Sequence, residues 1–325
     1  DEFAAPPVIL RVDDSVIGTL GNFSASTGKA KSKKTFNVCA IVAAAMTGGT
    51  VLNYSASLPP ERRRILYVDT EQSRFHCKRV LCRILRLAGL PTDVHPPLLE
   101  FLCLRGYATK ERLRKIEEAI YDLDDLGLVV IDGIRDLAHD INSPGEATDL
   151  ITKLMQWTDE RRIHIHTVLH LNKGDDNTRG HLGTELNNKA ETVLQITKDD
   201  FDRDISSVAA MHIRDRDFEP FAFRINADAL PEQVEDYQLR QTTAAKSFDY
   251  AEVCEAKHRE ALELLFSKAD RVSYSSLIGR LQSSYAAIGH SFGINKAKQL
   301  KVFLENKRMI VKEDKFYRYN PDFHY

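Results

Sequence analysis

The chain has 325 residues, a length that accommodates about two domains. Hydrophobic residues make up 43% and charged residues 28%, which excludes a largely disordered chain, a collagen-like chain and a disulfide-dense secreted module. Lys and Arg number 45 against 47 Asp and Glu, a net charge of -2, so nucleic-acid binding has to come from local patches. Five scattered cysteines (Cys39, Cys77, Cys82, Cys103 and Cys254) without a CxxC pair fit a reducing, cytoplasmic location. No apolar run reaches the ~18 residues of a membrane span, so no membrane partner is expected. The start, DEFAAPPVIL, is not read as a signal peptide, because no basic segment precedes its apolar residues.

Along the chain, an extended segment leads to a basic loop and a predicted helix, Lys34–Met46. Predicted strands and helices then alternate: Ile65–Asp69, Arg74–Ala88, Leu99–Leu104, Lys110–Asp125, Leu128–Asp132, Glu146–Arg162, His164–His170 and a short helix near Thr184–Ala190. Three further strands, Thr192–Thr197, Ser207–Ile213 and Phe221–Asn226, follow without long helices between them. This predicts an α/β domain over residues 1–228, with a mostly parallel sheet, helices on both faces and an antiparallel edge. Residues 229–247 are polar and read as a linker. Beyond them come helices Tyr250–Phe266, Ser273–Leu281 and Asn295–Asn306 and the alternating run Met309–Tyr319, turning at Glu313-Asp314. Three helices and a hairpin outline a winged helix over residues 248–325.

The loop carries the chemistry. Residues 28–35 read GKAKSKKT, against the phosphate-loop pattern GxxxxGK[ST]. Gly28, Lys34 and Thr35 match; Lys33 stands where the second glycine belongs. Such a loop turns backbone N–H groups, including that of Ser32, toward a phosphate at a helix N-terminus. Lys34 would reach the β- and γ-phosphates of ATP and Thr35 would hold Mg²⁺. The competing reading is a solvated basic loop, invited by Lys29, Lys31, Lys33 and Lys34. LGLVVID is a buried strand ending in Asp132, a carboxylate placed for the Mg²⁺ shell. Glu71, just after the strand ILYVD, is placed to orient and deprotonate a water. His164, His166 and His170 share a strand face, but zinc spacings are absent and satisfied strand histidines are expected.

Loop, Glu and Asp in that order resemble the RecA-like ATPases, nearest the hexameric helicase group of RepA and DnaB and the KaiC/RadA-type ATPases. The resemblance spans roughly Gly18 to Asn226. It implies that Glu71 activates water, that His170 senses the γ-phosphate, and that Asn172–Glu185 binds nucleic acid or couples subunits, with Arg179 and His181 as candidate DNA contacts. It further implies a homo-oligomer, a hexameric ring, in which Arg214 and Arg216 of HIRDRDFEP reach a neighbouring subunit's site. GKAKSKKT, VVIDGIRDL and RGHLGTEL are also similar to ATPases encoded beside primase and mobilisation functions on mobile elements, which implies replication or mobilisation proteins as partners.

In the C-terminal region Lys296, Lys298 and Lys301 lie largely off the apolar face of their helix, and Lys312, Lys315 and Arg318 lie on the hairpin. A basic third helix and wing favour DNA as the partner; a protein-contact module is the alternative. The whole reads as an ATPase acting on DNA as helicase or loader. Two rivals stay open: a non-motor ATP-binding switch, and a transcriptional regulator whose ATP fold is vestigial.

Overall fold

The computed structural model describes residues 4–171, 180–199, 202–235, 237, 250–251 and 253–323. The chain divides into two compact units, Asp1–Leu239 and Arg240–Tyr325.

The first unit opens with an antiparallel pair, β1 (Val8–Val12) and β2 (Ser15–Thr19), followed by β3 (Phe23–Gly28) and α1 (Lys34–Thr47). Two short strands, β4 (Thr50–Val51) and β5 (Tyr54–Ala56), then fold back so that a small sheet forms in the order β2-β1-β5-β4. The sequence reading did not contain this sheet, because strands of two to five residues are too short for alternation to register.

The main sheet continues with β6 (Arg64–Asp69), α2 (Arg74–Leu87), β7 (Leu99–Cys103), α3 (Thr109–Asp122), β8 (Leu126–Asp132), α4 (Pro144–Arg161) and β9 (His164–His170). After α5 (Gly180–Lys189) come β10 (Thr192–Lys198), β11 (Ile205–Ile213), β12 (Phe221–Ile225) and β13 (Pro231–Val234). The order is β13-β12-β11-β10-β3-β9-β8-β6-β7. Strands β10 through β7 are parallel and β11 to β13 antiparallel, as the alternation predicted. One expectation needs correction: Pro231–Val234 lies inside the expected linker yet pairs with β12. It opens on a proline at the sheet's outer edge, where a missing N–H costs no ladder bond.

Both faces of the sheet are covered. Ile65, Tyr67, Leu128 and Val130 pack with α1 and α2; Leu66, Val68, Val129 and Ile131 pack with α3, α4 and α5. That is why β8 reads as an unbroken apolar run: all seven of its residues are buried.

A polar string crosses this core. His164 Nδ1 donates to the Thr19 carbonyl (2.8 Å), so its Nε2 accepts from Ser24 Oγ (2.7 Å). Ser24 Oγ in turn accepts from His166 Nδ1 (2.8 Å), and His166 Nε2 accepts from Ser26 Oγ (2.8 Å). Burial lowers both imidazole pKa values, that of His166 to about 3 with the help of its neighbour His164. These are satisfied core histidines, and no His, Cys, Asp or Glu cluster suited to a metal occurs among the described residues.

The second unit comprises α6 (Glu255–Phe266), β14 (Val272–Ser273), α7 (Tyr274–Ala287), α8 (Ile294–Asn306), β15 (Ile310–Glu313) and β16 (Phe316–Tyr319), with a sheet ordered β14-β16-β15. Leu262, Leu277, Leu281, Tyr285, Leu300, Leu304 and Tyr317 are among its core residues. The first helix starts at Glu255 rather than at the expected Tyr250. Tyr250 instead stands before the helix, accepting from His258 Nε2 (3.0 Å) through its carbonyl and packing its ring on Phe303.

Candidate active site

The site is built where β3, β6, β8 and β9 end on the same edge of the sheet. A Cβ on Gly28 would lie 2.3 Å from the Ile196 carbonyl oxygen and 2.5 Å from Ser32 Oγ, so the loop needs glycine there. At its far end α1 begins with Lys34, whose helix terminus leaves unpaired N–H groups facing any ligand in the loop. Ser32 Oγ is buried without a hydrogen-bond partner, an orphan that suits a ligand oxygen. Lys34 Nζ donates to the carbonyls of Gly28 (2.8 Å) and Lys29 (2.9 Å). Burial lowers its pKa to about 8 against the pull of Asp132 and Glu71.

Lys33 adopts the conformation that glycine would supply. Its φ is 68°, left-handed, which costs a residue with a Cβ roughly 1–2 kcal/mol. Its side chain leaves the loop, and Nζ donates to the carbonyls of Asp204 (2.5 Å) and Arg203 (3.4 Å) between β10 and β11. The substitution is thus accommodated by a strained backbone tied down from outside the loop.

Thr35 Oγ1 and the Tyr67 hydroxyl both donate to Asp132 Oδ2, each at 2.9 Å. Burial, then repulsion from Asp69, pushes the Asp132 carboxyl up to about 6. A buried carboxylate raised in this way, with a threonine hydroxyl beside it, is a fitting seat for a divalent cation.

Glu71 is presented by a turn that Asp69 clamps. The Asp69 carboxylate accepts from the backbone N–H groups of Glu71 (3.0 Å) and Gln72 (2.7 Å) and from Gln72 Nε2 (2.7 Å). Glu71 Oε1 lies 3.6 Å from His170 Nε2, and His170 is in register with Gly28 across the β3–β9 pair. The imidazole, with Lys34 adding to it, holds the Glu71 carboxyl below its usual range. A carboxylate held low orients a water well and is a weaker proton acceptor, which moves the expected role of Glu71 toward orientation.

Lys33, Lys34, Thr35, Glu71, Asp132 and His170 therefore line one cavity of about 340 Å³. From α2, Arg79 and Arg83 join its wall. The sequence reading contained the helix over Arg74–Ala88 but gave neither it nor Asp69 and Tyr67 a part in the site. The Asp69 turn had a signal, an aspartate followed by residues whose N–H groups it can cap; the others meet the site only through the register of neighbouring strands.

Other expected residues are not at this cavity. Arg214 and Arg216 lie just past the end of β11 rather than on it, and both are exposed. β11 runs antiparallel, so Arg214 is level with the start of β3, roughly 16 Å along the strand from Gly28. Arg179 lies outside the described residues. His181 is exposed on α5, whose first residue, Gly180, has φ 72° and a backbone so close that a Cβ would sit 2.7 Å from the Ile141 carbonyl oxygen.

In the second unit Lys298, Lys312 and Lys315 are exposed. Lys296 stacks over the Tyr250 ring, and Lys301 pairs with Glu305 beside the rings of Tyr274 and Tyr317. Arg318 is engaged by Glu313. Lys301 and Arg318 were expected as open basic groups; internal pairing makes them partly structural instead.

A protein-family model described as an AAA domain matches residues 6–176, more than half of the 325 residues. The chain belongs to the AAA domain family. The cavity of this AAA domain lies at the end of the β3 strand within the matched region, and a P-loop ATPase is the activity class it supports. No curated protein matches the chain. Among solved structures a RadB recombinase is similar, with 15% identity over 66% of this chain and 92% of that one and a TM-score of 0.47. No helix among the described residues is long and apolar enough to cross a membrane.

Proposed function

We propose that the chain is a RecA-like, Mg²⁺-dependent ATPase that assembles with copies of itself, as a hexameric ring, and acts on DNA as a helicase or loader in replication or mobilisation of a genetic element. The observation that carries the ATPase part is the convergence of Lys34, Thr35, Glu71, Asp132 and His170, from four separate segments, on one cavity. Lys34 and the α1 terminus would hold the phosphates, with Ser32 Oγ meeting one of their oxygens. Thr35 and Asp132 would hold Mg²⁺, which when bound neutralises charge developing on the phosphates. Glu71, fixed by Asp69, would orient the attacking water, and His170, 3.6 Å from the Glu71 carboxylate, would sense the terminal phosphate.

The arginine pair sits too far from the loop of its own chain to serve that loop, which supports a role in trans. For the second unit we favour a winged helix with α8 as its third helix and β15–β16 as its wing. Lys298, Lys312 and Lys315 are then the basic groups open to DNA phosphates. The strained Lys33 favours a second reading, a slow ATP-binding switch that regulates DNA transactions without translocating. ATP hydrolysis measured with and without single-stranded DNA separates them, together with a strand-separation assay. DNA-stimulated turnover with unwinding supports the motor, nucleotide binding without stimulation supports the switch, and absence of nucleotide binding overturns both.

A further inference from the structure

Helix α2, RFHCKRVLCRILRL, contains five Arg or Lys residues and no acid. Arg83 turns inward, donating to the Ala229 carbonyl (3.0 Å) and lying over the Phe36 ring. The other four, Arg74, Lys78, Arg79 and Arg86, are exposed, and their side chains form no hydrogen bond or ion pair with any described residue. Such a face is unfavourable in isolation: cations spaced three and four apart repel, and Arg74 opposes the positive end of the helix dipole. Phe75 is 69% exposed beside them. The face is continuous with the phosphate cavity, because Arg79 and Arg83 line both that cavity and a neighbouring groove of about 580 Å³ that also takes in Arg74, Lys78 and Arg86. Asp228 also lines the groove, but the basic groups outnumber it, so an arginine pair approaching from outside would meet mostly its own sign.

The segment after β11 carries the complementary charge. Its sequence, RDRDFEP, interleaves Arg214 and Arg216 with Asp215, Asp217 and Glu219, all exposed. The segment is held firmly: Asp215 Oδ2 accepts from the Val16 N–H (2.8 Å) and Phe218 is buried in the core. Asp215 is thereby used within the chain, and Asp217 accepts the Phe218 N–H through Oδ1 (2.8 Å), which fixes its side chain at the surface. Exposed on either side of the Phe218 anchor, Asp217 keeps its second carboxylate oxygen and Glu219 its whole carboxylate for an outside partner.

We propose that the basic face of α2 is the docking surface for Asp217 and Glu219 of a second copy of this chain, in the contact that brings Arg214 and Arg216 to the phosphate cavity. The proposal rests on the reading of that pair as acting in trans. The two acids offset the repulsion between the incoming arginines and α2, and they fix which way round the copies meet, since complementary charge steers association and like charge opposes it. Lys78 and Arg86 do this work away from the phosphates; neither lines the cavity.

The test uses the full chain in sedimentation velocity with a non-hydrolysable ATP analogue. The wild type should self-associate, less so as salt is raised. One variant carries Lys78→Glu with Arg86→Glu, another Asp217→Lys with Glu219→Lys. Each alone should associate at least about tenfold more weakly than wild type. Mixed in equal amounts they should associate again, because every contact between unlike variants pairs opposite charges. Binding of a fluorescent nucleotide by each variant shows that its cavity is intact. Wild-type association in either variant, a mixture that stays monomeric, or a wild-type chain that never associates overturns the proposal. Arg216→Ala is the separate check on the underlying reading: it should assemble normally and lose turnover. Normal turnover there removes the role in trans and leaves the docking surface to stand on the charge reversal.

Discussion

Lys34 and Glu71 show how one cavity sets two protonation states in opposite ways. Burial brings Lys34 down to about 8, so in the free loop its charge is present below that pH and lost above it. A triphosphate prefers the charged form. ATP affinity should therefore be flat up to about pH 7.5 and fall by up to about tenfold per unit above 8, with bound nucleotide raising the lysine pKa. A fluorescent-nucleotide titration from pH 7 to 9.5 checks this, and unchanged affinity across it contradicts the placement of Lys34 on phosphate. Glu71 works the other way: His170 keeps it ionised, so Glu71→Gln should preserve ATP binding and slow turnover about 10²–10⁴-fold. Loss of binding instead would make Glu71 a structural residue. At this scale the sequence was informative wherever chemistry sits at a strand end, as with Glu71, Asp132 and His170. The sequence reading passed over Asp69, whose capping of the N–H groups just after it was a local signal, and was silent on Tyr67, which acts on Asp132 of the neighbouring strand.

Among the elements, β8 was legible because burial on both faces leaves no polar position in its apolar run, and α1 because a loop and an apolar helix adjoin. The short strands of the first sheet and β13 were not, since each is defined by its partner and not by its own pattern. The His–Ser string across β3 and β9 gives the first unit a pH dependence. Both imidazoles are neutral in the fold and charge readily once unfolded. Their depressed pKa values mean stability is intact above about pH 6.5 and declines as pH falls from there toward 3. For His166 the full span amounts to several kcal/mol, an order-of-magnitude figure. Denaturant midpoints should begin to fall between pH 6.5 and 5, before most carboxylates titrate; a midpoint constant over that interval would contradict the buried neutral pair.

Two measurements belong to the whole molecule. If the arginine pair serves a neighbour, an Arg216→Ala chain mixed with a Lys34→Ala chain should regain activity that neither has alone, because one mixed contact joins an intact loop to an intact pair. An arginine of this kind is worth about 10³–10⁵ in rate, so the regain stands clear of background. No regain in oligomers shown to mix argues against it. DNA binding by the chain should fall with salt, the slope changing by about one unit for each of Lys312 and Lys315 replaced, and by less for Arg318, which Glu313 already engages. Equal losses at all three would mean that the Glu313 pair opens on binding.

If the arginine pair acts in trans, the opposed placement of loop and pair also sets how activity scales with assembly. A site completed by that pair is a property of a junction between two chains, and junctions are counted differently in rows and circles. An open row always has one junction fewer than it has members, leaving one loop idle at its end. A closed circle has as many junctions as members. Turnover per chain would then climb gradually with length in a growing row and reach its ceiling at once on closure, so a plot of rate per chain against assembly size distinguishes the two forms without an image of either.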